Sequence, residues 1–403
     1  MIDAHVFIEV LFVFLRLGIR SFGGPVAHLG YFHETFVRKK NWISESDFAE
    51  TVALCQALPG PTSSQVGMVV GSTRAGVWGA LAAWIGFTLP SALIMFIAGL
   101  AAASFAFVIP SGVLRGLKLA AVAVVAHALL SMFVALCPDG RRKGLATLVA
   151  LALVAFKFPF AHIAMMFVGA LFGLCFLRNL RDPLPDSKAL PLMTIESRRS
   201  LLWLIAFAVL LLGLPIFVHA FHLPFLLLFE KCFRSGALVF GGGHVVLPLL
   251  ENEFVGSQLM NKETFLAGYG IAQALPGPLF SFAAFLGAVS LAPGSGLGTA
   301  GVAAAVAVLG IFMPSFLLLP GLVPLWNSIK KFPSVGCALA GVNASVVGLL
   351  ASVLLGSAVQ AGGLNPASVT LVAIDFALLK WARWPSWAVV LLSAALATVE
   401  SGL

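Results

Sequence analysis

The sequence predicts an all-α polytopic integral membrane protein, with about 13 transmembrane helices in two homologous six-helix halves that form an inverted repeat with broken helices. The first observation is composition, because 60% of the 403 residues are hydrophobic, 10% are charged and the mean hydropathy is +1.04. So few polar side chains cannot cover a soluble globule of this size. The other two observations are a series of long apolar runs and the hexapeptide QALPGP, which occurs at 56–61 and again at 273–278.

The apolar runs predict helices rather than strands. Runs such as 201–221 are continuous, whereas a membrane-spanning strand alternates apolar and polar residues. In the first half, the predicted helices are 6–24, 48–73, 76–103, 111–136, 144–157 and 160–177. After a connecting helix, the predicted helices are 223–243, 264–290, 297–323, 334–358, 366–380 and 385–401.

A polar stretch divides the chain into two halves. Residues 178–199 contain three prolines and five basic residues, which is typical of a linker. We therefore predict a first repeat over 1–177, a linker with its connecting helix over 178–222, and a second repeat over 223–403. The five cysteines lie far apart and form no Cys/His cluster, so neither a metal site nor a disulfide framework is predicted.

Matching segments occur in the same order in both halves. FGG begins at Phe22 and again at Phe240, 218 positions later, and the two QALPGP segments are 217 positions apart. The Pro-Ser pair that ends at Ser91 matches the pair that ends at Ser315, 224 positions later. Ordered matches with small length changes predict a duplication, and an odd number of crossings before the second copy inverts it.

The basic residues test this topology, because cytoplasmic loops are rich in Lys and Arg. With the linker in the cytoplasm, 13 of the 24 basic residues lie inside. Full crossings place Arg38, Lys39 and Lys40 outside, against the rule. A re-entrant hairpin at the first QALPGP would correct the first half but would misplace Lys330 and Lys331 in the second, so full crossings are preferred.

The Pro-Gly-Pro triplets predict breaks in two helices. Each proline removes a backbone donor and clashes with the preceding turn, and the freed groups are tolerated in lipid only beside protein or a polar cavity. The new helix that starts at Pro61 offers free N–H groups and hydroxyls to an anion, whereas the second break is followed by Leu279 and Phe280, so two unequal sites are predicted. The alternative is a kink that only helps helices to pack. The candidates are Gln56, Pro59, Gly60, Pro61, Thr62, Ser63, Gln65, Gln273, Pro276, Gly277 and Pro278.

Glycine runs end the first helix of each half. Glycine permits positive φ and lets a ligand or a neighbouring helix reach the backbone, although a Gly-Gly pair can also merely terminate a helix. The adjoining histidines favour a functional role, but they are not repeat partners, because His28 matches Val246. The candidates here are Gly23, Gly24, Pro25, His28, Gly241, Gly242, Gly243 and His244.

Charged residues inside apolar runs are costly and therefore point to function. Arg16 and Arg20 share one face of the first helix without an acid within one turn, so both are predicted to look into the protein, where an anion would pair with them. Arg234 matches Arg16 but follows Glu230 by one turn, so a local ion pair and a ligand role both stay open.

Two polar residues lie in apolar runs of the second half. Asn343 is a candidate binding residue because the repeat places it opposite Lys118. Asp375 is able to carry a proton, but it has no acidic counterpart in the first half, so a structural pair with Lys380 is expected.

Several longer segments combine these features. The first half contains SFGGPVAHLGYFHETFV, NWISESDF and ALCQALPGPTSSQVG, and the second contains VFGGGHVVLPLLENEFV and AQALPGPLFSFAAFLGA. Together they resemble the chromate ion transporter family in its long, two-domain form. The resemblance implies chromate export across the cytoplasmic (inner) membrane of a bacterium, and chromate resistance. It also implies importance for Arg16 or Arg20, Gly23, Gly24, Pro25, His28, Glu34, Pro59, Gly60, Pro61, Gln65, Gly241, Gly242, Gly243, Pro248, Pro276, Gly277 and Pro278.

The residues and the resemblance both predict a secondary transporter of an oxyanion, without enzymatic activity and without a cofactor. A dianion that leaves a negative interior gains about 4.6 kcal/mol per 100 mV, and no nucleotide-binding motif is present. The expected partners are chromate or sulfate and membrane lipid, without nucleic acid, and a homodimer is left open. The alternatives are a transporter of sulfate or another oxyanion, a membrane-embedded enzyme, for which no catalytic motif is found, and a scaffold that transports nothing.

Overall fold

A computed structural model describes residues 4–22, 24–104, 111–155, 161–177, 197–221, 223–240, 246–291, 296–329, 332–360 and 366–400. Every regular element in these ranges is a helix, so the predicted all-α class is confirmed. The first half contains α1 (Ala4–Arg20), α2 (Gly24–Phe32), α3 (Glu45–Ala57), α4 (Thr62–Ser104), α5 (Ser111–Leu136), α6 (Gly140–Ala155) and α7 (Ala161–Phe176). The connecting helix and the second half are α8 (Ser197–Phe221), α9 (Pro224–Ala237), α10 (Val246–Phe254), α11 (Lys262–Ala274), α12 (Phe282–Ser290), α13 (Leu297–Ile329), α14 (Pro333–Gln360), α15 (Pro366–Lys380) and α16 (Ser386–Glu400). A π-helical segment (His33–Lys39) continues α2, and a 3-10 turn (Leu279–Ser281) precedes α12.

Five of the described helices are long and apolar enough to cross a membrane. They belong to α4, α5, α8, α13 and α14, as Thr62–Ala103, Arg115–Leu136, Ser200–Phe221, Leu297–Trp326 and Ser334–Ser352. The other helices are shorter than the roughly 20 residues that a hydrocarbon core requires. The structure is thus that of a polytopic membrane protein, whereas the predicted count of thirteen crossings is not confirmed.

The first Pro-Gly-Pro segment lies at the tip of a helical hairpin. α3 leads to it, and the first part of α4 leads back to a sharp bend at Gly76, where φ is +56°. Just before this bend, the guanidinium carbon of Arg74 lies 5.2 Å from the centre of the Trp42 ring, which precedes α3. Arg74 also contacts Glu9, near the start of α1, at 3.5 Å. The hairpin therefore begins and ends at the same place, and the prediction of one broken helix running through 48–73 is wrong.

The second Pro-Gly-Pro segment lies at the tip of a similar hairpin. One cavity is lined by Pro224 at the beginning of α9, Leu259 before α11 and Leu291 after α12. The beginning of α11 and the end of α12 are therefore neighbours. The helix predicted over 264–290 is likewise a pair of helices that fold back on each other.

Glycine allows α1 to cross α4 closely, and α9 crosses α13 in the same way. A Cβ on Gly18 would lie 2.8 Å from the carbonyl oxygen of Phe87. Gly236 lies 218 positions after Gly18. A Cβ on Gly236 would come at least as close to the carbonyl oxygen of Ile311. Small residues permit such backbone contacts between membrane helices. Both halves thus build the same helix pair, which supports the predicted duplication.

Each half completes its bundle with helices of the other half. α5 packs against α15 and α16, while α14 packs against α6 and α7. The rings of Phe22 and Trp387, 5.9 Å apart, join the end of α1 to the start of α16. α8 stays outside, because only 6% of its apolar span is buried, and its surface is suited to lipid. The two halves therefore form one interlocked body around the tips of the hairpins.

Candidate functional site

The first helix break is held in place by side chains from both halves. Gly60 has φ +124°, a conformation that favours glycine. A Cβ there would lie 2.5 Å from Nε2 of Gln65 and 2.8 Å from Oγ of Ser315. Nε2 of Gln65 donates hydrogen bonds to the Pro59 carbonyl oxygen at 2.7 Å and to Oγ of Ser315 at 3.2 Å. Gln65 thus uses its amide hydrogens to satisfy a carbonyl that the break sets free.

The second helix break has matching geometry. Gly277 has φ +93°, and a Cβ there would lie 2.8 Å from Oγ of Ser91. The carbonyl oxygens of Gly18 and Phe87 would each be 3.3 Å away. Ser91 and Ser315 are repeat partners, so each glycine contacts a serine of the opposite half. This close packing leaves no room for a side chain at either glycine.

Two reciprocal hydrogen bonds join the tips of the hairpins. The N–H of Gly60 donates to the carbonyl oxygen of Val239 at 2.7 Å, and the N–H of Gly277 donates to that of Ser21 at 2.9 Å. Both acceptors lie one residue before an FGG segment, and they are 218 positions apart. Each Pro-Gly-Pro tip is therefore hydrogen-bonded to the residue that precedes FGG in the other half. The amides of Gly60 and Gly277 are occupied, so the prediction that the breaks leave their amides free is wrong for these two groups.

A buried polar cluster lies beside the start of α4. His28, which is 1% exposed, places Nε2 at 3.1 Å from the Ser21 carbonyl oxygen and Nδ1 at 3.2 Å from Oγ of Ser63. The edge of the ring meets Phe87, with 5.2 Å between ring centres. Ser64, 2% exposed, has no hydrogen-bond partner for its hydroxyl among the described residues, and the same holds for the hydroxyl of Ser21. Buried hydroxyls are normally paired, so this cluster has unused donors beside the free N–H groups of a helix start.

The two halves have different side chains around their helix breaks. The repeat places Val246 where the first half has His28, and Phe280 where the first half has Ser63. Val246 and Phe280 are both buried in the apolar core. The side chains around the two helix breaks therefore differ, and the buried polar cluster belongs to the first half.

The side chains of Arg16 and Arg20 do not point into the protein. Both side chains are exposed, because the buried face of α1 consists of Val10, Phe14 and Gly18. The prediction of their orientation is therefore wrong. Neither guanidinium has an ion-pair partner within the described ranges, and an anion approaching this surface would meet both positive charges.

Arg234 belongs to a partly buried network of four charges. Its Nη2 lies 2.6 Å from Oε2 of Glu253, and its Nε lies 3.3 Å from Oε1 of Glu230. Nζ of Lys231 is 3.2 Å from the same oxygen of Glu253. Of the two roles left open by the sequence, the structure shows the ion pair, with a second acid from α10 in addition to Glu230. The formal charges of these two acids and two bases cancel.

The remaining predicted residues fall into separate groups. Glu34 is exposed and contacts Lys39 at 3.3 Å, so it lies away from the tips. Gln273 hydrogen-bonds to the buried Tyr269. Pro248 is buried, Asn343 is half-buried and Gln56 is exposed. The residues that lie at the two tips or start the helices there are Gly24, Pro25, Pro59, Pro61, Thr62, Pro276 and Pro278. The predicted residues outside the described ranges are Gly23, Gly241, Gly242, Gly243 and His244.

The expected ion pair between Asp375 and Lys380 is wrong. Nζ of Lys380 lies 5.7 Å from the centre of the Phe376 ring and 5.2 Å from that of Trp381. Asp375 is 0% exposed on the opposite, packed side of α15. The ammonium group of Lys380 therefore contacts aromatic rings rather than the Asp375 carboxylate.

Sequence reasoning missed several residues at the tips. Ser21, Ser91 and Ser315 were not selected as candidates. Glu253, which pairs with Arg234 elsewhere in the structure, was missed as well. For Ser91 and Ser315 a signal existed, because both follow a repeated proline at matching positions. No local pattern singles out Ser21, since its role depends on a carbonyl that accepts hydrogen bonds from distant residues.

The fold and the site define an all-helical membrane protein whose paired helix breaks are of the kind found in transporters with internal repeats. More specifically, the chain belongs to the chromate transporter family, whose model matches residues 8–174 and 226–398. An uncharacterized transporter of Methanocaldococcus jannaschii is 27% identical over 391 residues, covering 96% of this chain and 93% of the relative. A chromate transport protein of Pseudomonas aeruginosa is 28% identical over 396 residues, covering 95% and 90%. One of Cupriavidus metallidurans is 27% identical over 357 residues, covering 86% and 81%. No solved structure matches the chain.

Proposed function

We propose that the protein exports chromate across the cytoplasmic membrane of a bacterium as a secondary transporter, and so confers chromate resistance. The relatives that carry the name chromate transport protein support the substrate. The observation that carries the proposal is the buried cluster with unused hydroxyls at the start of α4. A membrane potential alone supplies about 4.6 kcal/mol per 100 mV for a dianion, which corresponds to a gradient of roughly 2000-fold.

The anion binds at the start of α4. Ser63 and Ser64 lie in its first turn, where N–H groups lack partners within the helix and the helix dipole is positive. Charge-assisted hydrogen bonds from amides and hydroxyls suit the four oxygens of a tetrahedral dianion. Arg16 and Arg20, exposed on α1, attract the anion towards this region.

The direct test is uptake of labelled chromate into inverted membrane vesicles. We expect uptake that stops when the membrane potential is collapsed, because the potential drives the dianion outward in the cell. Vesicles without the protein serve as the control. Equal uptake with and without the protein contradicts the proposal, and exchange of labelled sulfate for chromate at similar rates would show a general oxyanion transporter.

Ser64→Ala is expected to weaken chromate binding by roughly tenfold, because one hydrogen bond to a charged group contributes about 1.5 kcal/mol or more. Its hydroxyl has no hydrogen-bond partner among the described residues, so the melting temperature measured without chromate should stay the same or rise slightly. Ser72→Ala is the matched control, because this buried hydroxyl of the same helix donates to the Val69 carbonyl oxygen at 2.6 Å. Unchanged chromate affinity in Ser64→Ala contradicts the placement of the anion.

The hairpins also support a revised inverted repeat. We propose five full crossings, by the second part of α4 and by α5, α8, α13 and α14, with the Pro-Gly-Pro hairpins returning to the side that they enter. Two crossings precede α6, so Arg38, Lys39 and Lys40 then lie on the same side as Arg141 and Arg142, as the positive-inside rule requires. A third crossing, by α8, brings the second pair of hairpins in from the other side.

Single cysteines distinguish this topology from full crossings. In a protein with the exposed Cys175 replaced by serine, Lys40→Cys and Gly76→Cys should react with an impermeant maleimide from the same side of the membrane. Full crossings would place these two positions on opposite sides. Gly296→Cys, beyond the second hairpin, is expected on the side opposite to Gly76→Cys in both arrangements and confirms that the vesicles are sealed.

A further inference from the structure

His28 has a hydrogen-bond geometry that fixes one of its hydrogens. Its Nε2 faces the carbonyl oxygen of Ser21 at 3.1 Å, and the same oxygen accepts the N–H of Gly277 at 2.9 Å. A carbonyl oxygen can only accept, so Nε2 carries a hydrogen in every protonation state of the ring. The protonation state of the ring is therefore decided at Nδ1, which faces Ser63 at 3.2 Å.

The state of Nδ1 decides what Ser63 can do. When the ring is neutral, Nδ1 presents a lone pair, and the hydroxyl of Ser63 donates its hydrogen to it. When the ring is protonated, the Nδ1–H donates to Oγ of Ser63 instead. The hydroxyl hydrogen of Ser63 is then free to donate to an anion at the start of α4. Protonation of His28 thus adds a positive charge and releases one donor at the same place.

No charged side chain in the described ranges contacts His28, whose ring nitrogens face the Ser21 carbonyl oxygen and the Ser63 hydroxyl. Glu50, a buried acid of α3, lies about two turns before the tip and has interactions of its own. α2 packs against α4, whose cation, Arg74, lies at the far end of its first segment beside Glu9. In the π-helical segment that continues α2, Glu34 pairs with Lys39 and His33 pairs with Glu45 of α3. The remaining charge of this segment, Arg38, is exposed. Arg16 and Arg20 on α1 are exposed and positive. A protonated ring would therefore be a buried cation without a counter-charge, which is costly unless an anion is bound.

We propose that the site binds its oxyanion together with one proton, which His28 takes up at Nδ1. This inference rests on the proposed function and specifies how the site works. Each dianion then moves with a proton, so that the complex carries one net negative charge. The membrane potential then supplies about 2.3 kcal/mol per 100 mV, half of the value for a dianion that moves alone. Because the proton is taken up only when the anion binds, affinity should increase about tenfold for each unit by which the pH falls, over the range in which the free ring is neutral and the bound ring is protonated.

The test is titration calorimetry of the purified full-length protein with chromate, at an alkaline pH where chromate is a fully deprotonated dianion. Measurements in two buffers of different ionisation enthalpy give the number of protons taken up per anion. We expect about one proton for the wild type. His28→Gln keeps an N–H group for the Ser21 carbonyl oxygen but cannot be protonated, so its uptake should fall to zero and its affinity should no longer depend on pH.

His127→Gln is the matched control, because this half-buried histidine of α5 lies against Phe376, away from the tips. Its proton uptake should equal that of the wild type. Chromate binding by the wild type without proton uptake overturns this inference alone, even if His28→Gln does not fold. Unchanged uptake in a folded His28→Gln protein overturns it as well. Failure of the wild type both to bind chromate and to transport it in vesicles overturns the proposed function, and this inference with it.

Discussion

Gly60→Ala is expected to reduce chromate transport by far more than tenfold. An alanine at φ +124° is strained by roughly 1–2 kcal/mol, and its Cβ would lie 2.5 Å from Nε2 of Gln65. To avoid this contact, Gln65 must give up its bonds to the Pro59 carbonyl oxygen and to Ser315, at a cost of about 1 kcal/mol each. The tip would then shift away from Val239, and the two halves would lose their contact at this point. Initial rates of chromate uptake in inverted vesicles, normalised to the amount of protein, measure the effect.

Gly277→Ala should have a similar effect, because the two tips have the same geometry. Its Cβ would lie 2.8 Å from Oγ of Ser91. Gly76→Ala is the matched control, since Gly76 also has positive φ, +56°, but nothing lies within 4 Å of an added Cβ. Gly30→Ala, also with nothing within 4 Å, tests substitution without strain or contact. If Gly76→Ala reduces transport as much as Gly60→Ala, backbone strain alone explains the loss and the packing of the tips does not.

The helical class and the positions of both breaks could be predicted from the sequence, because prolines and apolar runs act locally. The hairpins could not be predicted. A stretch such as 48–73 has the length and hydropathy of a crossing, and only the contacts of Arg74 with Trp42 and Glu9 show that the chain turns back. Such contacts join residues far apart in sequence, which periodicity does not report.

In the candidate site, too, contacts between residues far apart in sequence could not be predicted. The repeats identified FGG and Pro-Gly-Pro as pairs. They did not reveal that each Pro-Gly-Pro tip is hydrogen-bonded to the residue before FGG in the other half. The interior orientation predicted for Arg16 and Arg20 was wrong, because the absence of a local acid does not reveal which face of α1 packs against α4. Glu230 was identified as a partner of Arg234 because it lies one turn away, whereas Glu253 lies on another helix.

Arg234→Met is expected to destabilise the protein without acting on the anion directly. The side chain is 17% exposed and lies between Glu230 and Glu253. Removal of one partner from a fully buried ion pair typically costs about 3–5 kcal/mol, so a loss at or below the lower end of that range is expected here. The repeat places Phe12 and Thr35 opposite these two acids, so Arg16, the partner of Arg234, has no such network. Arg16→Met should therefore leave the melting temperature unchanged and reduce chromate uptake. Melting temperatures of the purified variants in detergent, compared with their uptake in vesicles, separate the two roles.

The double variant Arg234→Met/Glu253→Gln should recover part of the stability. It removes one positive and one negative charge together and leaves Glu230 and Lys231, whose charges balance each other. Lys39→Ala is the control for an exposed pair, because Lys39 and Glu34 are 69% and 56% exposed and should contribute less than about 1 kcal/mol. A protein with Arg234→Met that melts like the wild type but no longer transports chromate would instead make Arg234 a ligand of the anion, and the network would then be a feature of the empty site.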